Sequence, residues 1–536
     1  MMARVFGKAT TTMASAALIV AVFSVVSRLA GFVRDYILLA LFYPHGQVLD
    51  AYYQALRIPD MLLQLLVIGA LSASFIPIFT RYYAADDEKR AWRYTNAVLF
   101  ALVLAFVVFA VVGAVCAPFL APLLGVNFPP DVRDTMVDMM RVMFLGQAFF
   151  AVSMVFGSVL QWSRRFFLYA FAPIVNNVGI ILGAVLLVPK FGPMGLAYGT
   201  VLGAVLHALV QFVGAYGVGY RLAFIKFWKD SDVIKTLRHM GPRTVGLAVN
   251  QLNFLSMDIL ASALAAGSVT LLNVSYALNY FPIGVVGVSY AIAAFPTFCE
   301  RVNAGDRDGF RTQFSETIRQ VLFFIIPITV VTLLLRAQIV RALYGSQGFD
   351  WDATIIASST LGFFAMSFFA QAIVYVLVRA YFAFENAVTP LVIGVVGMII
   401  NVVAGHMLAV HLGVAGLALG FSIAALVQAA LLWVFLRIRA GSLDEARILL
   451  SLGIMSVAGL CAAASIQGVK YAVTLYWELD TFWHVAGQAA AATIVGLATY
   501  ALVAFALRSP EALTIGRGLR RKFVKAAKPM EVTEVV

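Results

Sequence analysis

From one end to the other, the chain is divided into apolar runs long enough to cross a lipid bilayer. A spanning helix needs about 20 residues, and roughly fourteen such runs follow one another with no long polar insertion. They centre near Val22, Leu66, Val107, Val152, Leu182, Leu206, Phe254, Val286, Ile326, Phe368, Ile399, Ile423, Val457 and Ile494. In hydrocarbon every backbone polar group needs a partner inside the protein, which leaves helices and closed barrels as the possible spanning structures. Barrel strands would alternate apolar and polar residues, and these runs do not. The joints between them, such as Pro44 to Gln47 and Lys190 to Pro193, are the short Gly- and Pro-bearing turns of a helical bundle. The expected fold is all-α and integral to a membrane.

Charge is scarce, so its placement carries information. Of 536 residues 62% are hydrophobic and 12% charged, with a mean hydropathy of +0.93, where a soluble domain has about 25% charged residues. Lys and Arg gather in alternate loops. One set holds Arg4 and Lys8, Arg81 with Lys89 to Arg93, Arg164 and Arg165, Arg221 to Arg238, Arg301 to Arg311, Arg437 to Arg447 and the tail Arg517 to Lys528; the other holds little beyond Arg133, Lys190, Arg336, Arg341 and Lys470. This bias predicts cytoplasmic termini and an even number of spans. The net charge of +12 reflects the same bias and an attraction to anionic headgroups. The basic residues are too dispersed for a nucleic-acid module. Arg4 and Lys8 before an apolar run resemble a signal peptide, but no small-residue cleavage site precedes Ser27, so a retained first helix is expected. Cys116, Cys299 and Cys461 stand singly and read as packing residues, and the six histidines form no ligand pair.

The chain also repeats itself. "KFGPMGLAYG" (Lys190 to Gly199) and "HLGVAGLALG" (His411 to Gly420) share GxxGLAxG, and each precedes an apolar helix with a late glutamine, Gln211 or Gln428. "IPIFTR" (Ile76 to Arg81) matches "FPTFCER" (Phe295 to Arg301), with Pro59 and Pro282 upstream. Two homologous six-helix lobes, 1–220 and 221–440, account for this, followed by two further helices over 441–508 and a basic cytoplasmic tail over 509–536. Two-lobed membrane bundles of this kind are typically transporters that rock around a central site. The glycines of the repeat read as close helix contacts, and the prolines as kinks.

The first run carries charges that lipid would not accept. Ser27, Arg28, Arg34 and Asp35 lie in "SRLAGFVRDYILLALF", and a charge at bilayer depth costs at least a few kcal/mol unless it faces a cavity or a partner. Seven residues make nearly two helical turns, so Arg28 and Asp35 share a stripe about 10 Å apart, with Ser27 and Arg34 on the adjoining one. The second run, "LDAYYQALRIPDMLL", repeats the spacing with Asp50 and Arg57. Packed antiparallel, the two helices would line a cavity with guanidinium groups suited to phosphate and with Asp35 and Asp50 as their positioning acids; an ion pair such as Arg34 with Asp50 that merely satisfies the charges is the plainer alternative.

"SRLAGFVRD", "LDAYYQALRIPDML", "GALSASFIPIFTRYY", "WSRRFFLYAFAPIVNN", "MGPRTVGLAVNQL", "AAGSVTLLNVSYALNYFPIGVVGVSYAIAAFP" and "RAYFAFENAVTP" together resemble the MurJ (MviN) family of lipid II flippases. That family lies within the multidrug/oligosaccharidyl-lipid/polysaccharide exporter superfamily. The resemblance runs in order along essentially the whole chain. It implies a multi-pass protein of the bacterial cytoplasmic membrane that moves undecaprenyl-diphosphate-linked peptidoglycan precursor, lipid II, to the outer leaflet by alternating access. It implies a cationic cavity for the head group, carried here onto Ser27, Arg28, Arg34 and Arg57, with Asp35, Asp50 and Arg243 of "GPRTVG" in support, and a lipid-tail groove at the last two helices.

Three of the family's cationic positions are neutral here: Leu63 and Gln64 stand where an arginine pair is expected, and Ala277 where the eighth helix carries one. Ile68 replaces an acid. These departures leave an exporter of another polyprenyl-linked saccharide or of drugs, from the same superfamily, as the rival reading. No P-loop is present and flipping requires no bond chemistry, so a secondary transporter without a bound cofactor is expected. Related proteins hold sodium with an acid and an asparagine on the helices that here carry Asp258 and Asn401, which makes these two the candidate site for Na+ or H+ coupling. The expected partners are lipid II or a related carrier lipid, the membrane itself, and the peptidoglycan synthesis machinery, with the protein acting as a monomer.

Overall fold

A computed structural model of the chain describes residues 13–43, 47–65, 71–476 and 481–514, and the side chains of all of these except 13–18, 71–74, 229 and 237–247. Arg4, Lys8, Leu66, Ile68 and the tail beyond 514 lie outside that set; for Arg243 only the helical backbone belongs to it. The described residues are helical nearly throughout. In the first half α1 (Met13–Phe42), α2 (Val48–Leu63), α3 (Leu71–Ala84), α4 (Glu88–Leu124), α5 (Pro130–Trp162) and α6 (Phe166–Leu182) are followed by a π-helical turn (Gly183–Leu187), α7 (Val188–Phe191) and α8 (Met194–Tyr216). Then come α9 (Ser231–Ser262), α10 (Ser268–Pro282), a second π-helical turn (Ile283–Val288), α11 (Ser289–Asn303), α12 (Arg307–Tyr344), α13 (Trp351–Ala365) and α14 (Phe368–Ala383). The chain ends with α15 (Val388–Leu412), α16 (Val414–Ala440), α17 (Glu445–Tyr476) and α18 (Phe482–Ala506).

Among the described residues ten helical stretches are long and apolar enough to cross a membrane, or eleven when α13 and α14 count as one span. The remaining expected spans correspond to α1, to α2 with α3, and to α9. Each of these carries polar residues or adjoins positions outside the described set. Chain contacts define two compact units: Met1–Val274 with Leu343–Ala353 and Ala409–Leu417, and Ser275–Ala342 with Thr354–Leu408 and Ala418–Val536. The first unit includes α9, which the sequence repeat places in the second half of the chain.

The first unit is built on an aromatic stack and on glycine contacts. Phe75 lies 5.5 Å from Phe79 and 5.3 Å from Tyr94, both stacked, and Trp162 meets the edge of Phe79 at 4.7 Å. Where α8 crosses the span of α6, a Cβ on Gly199 would sit 2.5 Å from the Gly183 Cα. The repeat uses its motif in the same way in the second unit, where a Cβ on Gly420 would sit 2.4 Å from the Gly405 nitrogen. The first glycine of each motif makes the turn before the helix, at φ +59° for Gly192 and +57° for Gly413, a conformation in which a Cβ is strained.

In the second unit the run centred near Phe368 is not one straight helix. It bends by 46° between α13 and α14, although no proline lies at the break. A buried hydrogen-bond network takes over the carbonyls freed there: Ser422 Oγ donates to the Phe363 carbonyl at 2.6 Å, Ser367 and Ser422 share a bond of 2.9 Å, and Gln371 Nε2 donates to Ser367 Oγ at 2.9 Å and to Asn279 Oδ1 at 3.0 Å. Broken spans survive where side chains re-satisfy the backbone in this way. The final two helices pack on each other and on α12: Ser465 Oγ donates to Thr499 Oγ1 at 3.0 Å, and Tyr500 donates to the Phe323 carbonyl at 3.1 Å. Just past α18, Glu511 is buried against Arg319 at 2.5 Å and accepts from Ser509 at 2.7 Å.

The close crossings give a direct test. Gly199→Val should lower the folded yield in detergent and the thermal midpoint, since overpacking costs about 1–3 kcal/mol or more against backbone. Gly453→Ala, with nothing within 4 Å of its Cβ, should leave both unchanged; equal behaviour of the two variants in a thermal-shift assay would refute the packing role.

Candidate functional site

The polar residues of α2 fall on two faces. Asp50, Gln54, Arg57 and Gln64 form one stripe. Tyr52, Tyr53, Leu56 and Asp60 form another, about a quarter turn away at 100° per residue. Each stripe has its own partners within the first unit, so one face of the helix meets a pocket and the adjoining face meets α9 and α10.

The first stripe is a polar zipper. Asp50 is buried, and its carboxylate accepts from the Gly267 nitrogen at 2.7 Å and from the Thr270 nitrogen and Oγ1 at 2.8 and 2.6 Å. It therefore caps the N-terminus of α10, where free N–H groups and the helix dipole hold an anion. The expected service of Asp50 to the arginines, including a pair with Arg34, is thus replaced: three donors at a helix end satisfy both of its oxygens. One turn on, Gln54 Nε2 donates to the Asp258 carbonyl at 2.7 Å. Arg57 forms an ion pair with the Asp258 carboxylate through Nε and donates to Asn273 Oδ1 at 3.1 Å. Asn273 in turn donates to Asp258 Oδ1 at 3.1 Å. Gln64, at a position where the resemblance leads one to expect arginine, accepts from Gln251 at 2.6 Å and donates to Asp60 at 2.6 Å.

The second stripe lines a pocket of about 230 Å³. α1 contributes Arg34, α5 Gln147 and Phe150, α6 Asn176 and Ile180, and α8 Thr200. Arg34 is anchored from behind: Nε and Nη2 donate to Asp35 Oδ1 at 2.9 and 2.8 Å, and Nη1 donates to Asn177 Oδ1 at 3.0 Å. Asn177 Nδ2 also donates to the Ser27 carbonyl at 3.4 Å, which fixes α1 to α6. Arg28 is half-buried on the same helix. Two amide oxygens, Gln147 Oε1 and Asn176 Oδ1, are buried with no hydrogen-bond partner among the described residues. A buried acceptor left so costs roughly 1–3 kcal/mol; Asn176 Oδ1 faces the α6–α8 crossing, where a Cβ on Gly203 would sit 2.7 Å away.

The sequence-predicted residues are therefore distributed over two clusters. Arg34 lines the pocket with Asp35 bonded to it, Ser27 meets Asn177 through its carbonyl, and Arg57 and Asp258 pair on the adjoining face of α2. The candidate cation ligands Asp258 and Asn401 belong to different units; Asn401 is buried in α15. Both Asp258 oxygens are engaged by Arg57 and Asn273 in this conformation. Among the described residues no group of three or more His, Cys, Asp or Glu is placed to hold a metal. Leu63 is buried in the aromatic cluster of the first unit, and Ala277 lies half-buried in α10. Residues missed from sequence are Asp60, Gln147, Asn176, Asn177 and Asn273; for the amides, one or two polar letters inside an otherwise apolar run, as in "FLGQAFF" or "PIVNNVG", were the available signal.

A helical membrane bundle with broken spans, repeated glycine crossings and a buried polar pocket walled by anchored charges is the build of a transporter that carries a polar group through a bilayer. The lipid II flippase MurJ family model matches residues 40–487, and the chain belongs to that family. Among similar proteins are a probable lipid II flippase MurJ from Vibrio cholerae, 26% identical over 526 residues that cover 95% of this chain and 97% of that one, and a lipid II flippase MurJ from Burkholderia cenocepacia, 26% identical over 79% of this chain and 84% of that one. The fold is similar to a solved lipid II flippase MurJ in an inward closed conformation (TM-score 0.72, 20% identity, 91% of this chain and 99% of that one). It is also similar to an inward-facing multidrug resistance MATE family transporter of the MOP superfamily (TM-score 0.65, 15% identity, 78% and 96%).

The Arg57–Asp258 pair should be strongly coupled. Arg57→Ala should destabilise the protein by about 3–5 kcal/mol by leaving a buried carboxylate unpaired, and the double variant Arg57→Ala/Asp258→Ala should recover a large part of that in a thermal-unfolding cycle. Additive losses would show that the two side chains do not act as a pair.

Proposed function

We propose that this protein flips lipid II, the undecaprenyl-diphosphate-linked peptidoglycan precursor, from the cytoplasmic to the outer leaflet of a bacterial cytoplasmic membrane by alternating access. The observation that carries this reading is the match to the flippase family over 40–487, joined to an arginine-bearing face on α1 and α2 inside an apolar bundle. Arg28, Arg34 and Arg57 are the head-group contacts in this reading, with Ser27 beside them, Asp35 holding Arg34, and Arg243 in support. The protein is a carrier and not an enzyme: moving the head group breaks no bond. Both termini face the cytoplasm, as the Lys and Arg loops indicate, and α17 and α18 shelter the lipid tail. The protein acts as a monomer alongside the peptidoglycan synthesis machinery.

The lost arginines do not favour the rival exporter. Gln64 and Leu63 are built into the zipper and the core, and the match to flippases spans nearly the whole chain whereas the multidrug transporters cover less of it. Energy coupling by Na+ or H+ through Asp258 and Asn401 requires Arg57 to release Asp258 first, because a guanidinium already neutralises that carboxylate. Head-group binding at Arg57 and cation binding at Asp258 would then accompany one another.

Arg28→Ala and Arg34→Ala should each abolish complementation of flippase-depleted cells while inserting at normal levels by membrane immunoblot; growth and normal walls with both variants would contradict the reading. Asp258→Ala should change the rate and ion dependence of lipid II transport in vesicles. An unchanged ion dependence would remove Asp258 from coupling.

A further inference from the structure

Between α8 and α9 the chain runs without regular secondary structure over 221–226, and Asn96 of α4 holds it there. The Tyr220 hydroxyl donates to Asn96 Oδ1 at 2.7 Å, the Ala223 nitrogen donates to the same oxygen at 3.3 Å, and Asn96 Nδ2 donates to the Arg221 carbonyl at 3.0 Å. One turn further along α4, Phe224 meets Phe100 with ring centroids 5.3 Å apart. The uninterrupted apolar run of α4 begins at Ala97, so Phe224 reaches about one helical turn, roughly 5 Å, past the polar end of that span. Irregular backbone does not survive in hydrocarbon facing lipid. Among the described residues the N–H groups of Leu222, Phe224, Ile225 and Lys226 donate to no protein atom, and they need water or headgroup oxygens. Both requirements are met at the boundary between headgroups and acyl chains.

The side chains divide accordingly. Ile225 and Phe227 turn inward and pack on the aromatic core of the first unit, whereas Phe224 and Trp228 are 76% and 56% exposed. Two cations accompany these exposed rings. The Arg221 guanidinium lies 4.0 Å from the ring centroid of Tyr216, in the last turn of α8, and spends only Nη1 within the protein, on the Tyr216 and Tyr220 carbonyls at 3.0 and 2.8 Å. Lys226 is exposed. Neither pairs with a carboxylate among the described residues, because the acids of this region are engaged elsewhere: Glu88 accepts from Trp92, Asp230 from the first turn of α9, and Asp232 from Tyr82. Exposed aromatic rings beside uncompensated cations, at the depth of the first apolar turn, match a lipid surface that carries negative charge.

We propose that the α8–α9 linker is an interfacial anchor that docks on anionic phospholipid, with Phe224 and Trp228 set into the acyl boundary and Arg221 and Lys226 on the headgroup phosphates. The proposal rests on the reading above only for the side of the membrane: with the termini in the cytoplasm, this end of the bundle faces the leaflet surface where anionic lipid attracts basic segments. The linker runs directly into α9, the helix that carries Asp258. Lipid of the right charge therefore holds the end of α9 that lies farthest along the chain from that carboxylate.

Two measurements on the full chain test the anchor, and neither uses lipid II, so its failure is separate from failure of the flippase reading. In the first, a spin label at Phe224→Cys, with Cys116, Cys299 and Cys461 replaced by Ala, is read in nanodiscs of phosphatidylcholine and phosphatidylglycerol. It should relax with oxygen more than with a water-soluble nickel chelate, as a label at lipid-facing Val111→Cys does. A label that behaves like one at exposed Lys89→Cys places the face in water, open to a soluble acidic partner, and overturns the proposal. In the second, native mass spectrometry compares retention of phosphatidylglycerol and phosphatidylcholine offered in equal amounts. Arg221→Gln/Lys226→Gln should lower the preference for phosphatidylglycerol about tenfold, and Lys226→Gln, which removes no bond within the protein, about threefold. Arg437→Gln/Arg447→Gln, the same change of charge elsewhere, should leave the preference intact. Equal loss in both pairs, or loss in neither, overturns the anchor.

Discussion

A bilayer core offers no water to a polar group, and the arrangement of α2 follows from that constraint. Each polar side chain of the helix has to find a partner in the protein, and the helical period sorts them into two sets with different partners. Asp50, Gln54, Arg57 and Gln64 are bonded to α9 and the start of α10. Tyr53, Leu56 and Asp60, a quarter turn away, wall the pocket with Arg34. A movement of α2 that rearranges the zipper therefore moves the pocket wall as well, and the reverse holds. This makes α2 a mechanical link between the place where polar cargo would rest and the ion pair at Asp258.

The same constraint accounts for the treatment of the charges. Arg34 and Arg57 are each held by an acid, Asp35 and Asp258, so the empty protein carries no uncompensated guanidinium at these two places. Removing one partner of such a buried pair is expensive, whereas exchanging it for another anion is not. In the proposed reading, a diphosphate that took over Arg57 would leave Asp258 in need of a new counter-charge, which is how cargo binding would be tied to cation coupling.

Much of this was legible in the residues. Repeated apolar runs predicted the helical membrane fold, and the charges of Ser27 to Asp35 marked α1 as a helix that faces something other than lipid. The repeat GxxGLAxG was readable because its physical reason is local: a turn at Gly192 and Gly413, and a backbone contact at Gly199 and Gly420. What escaped was set by tertiary neighbours. Spacing places Asp50 near the arginines, but no periodicity reveals that the N-terminus of α10 lies within reach and offers better donors. The bend between α13 and α14 lacks a proline and depends on Ser422, more than fifty residues away in sequence. Gln147 and the pair Asn176–Asn177 were isolated polar letters in apolar runs, which sequence alone cannot assign to packing or to a pocket.

The central claim is that the protein gives a lipid-linked saccharide diphosphate a polar passage through an apolar bundle. The most direct measurement is the translocation rate of fluorescent lipid II in proteoliposomes of the purified protein, beside protein-free vesicles and vesicles offered an undecaprenyl diphosphate with an unrelated glycan. The account predicts transfer of lipid II well above the protein-free rate and little transfer of the other lipid. No transfer above the protein-free rate, or equal transfer of both lipids, would contradict it.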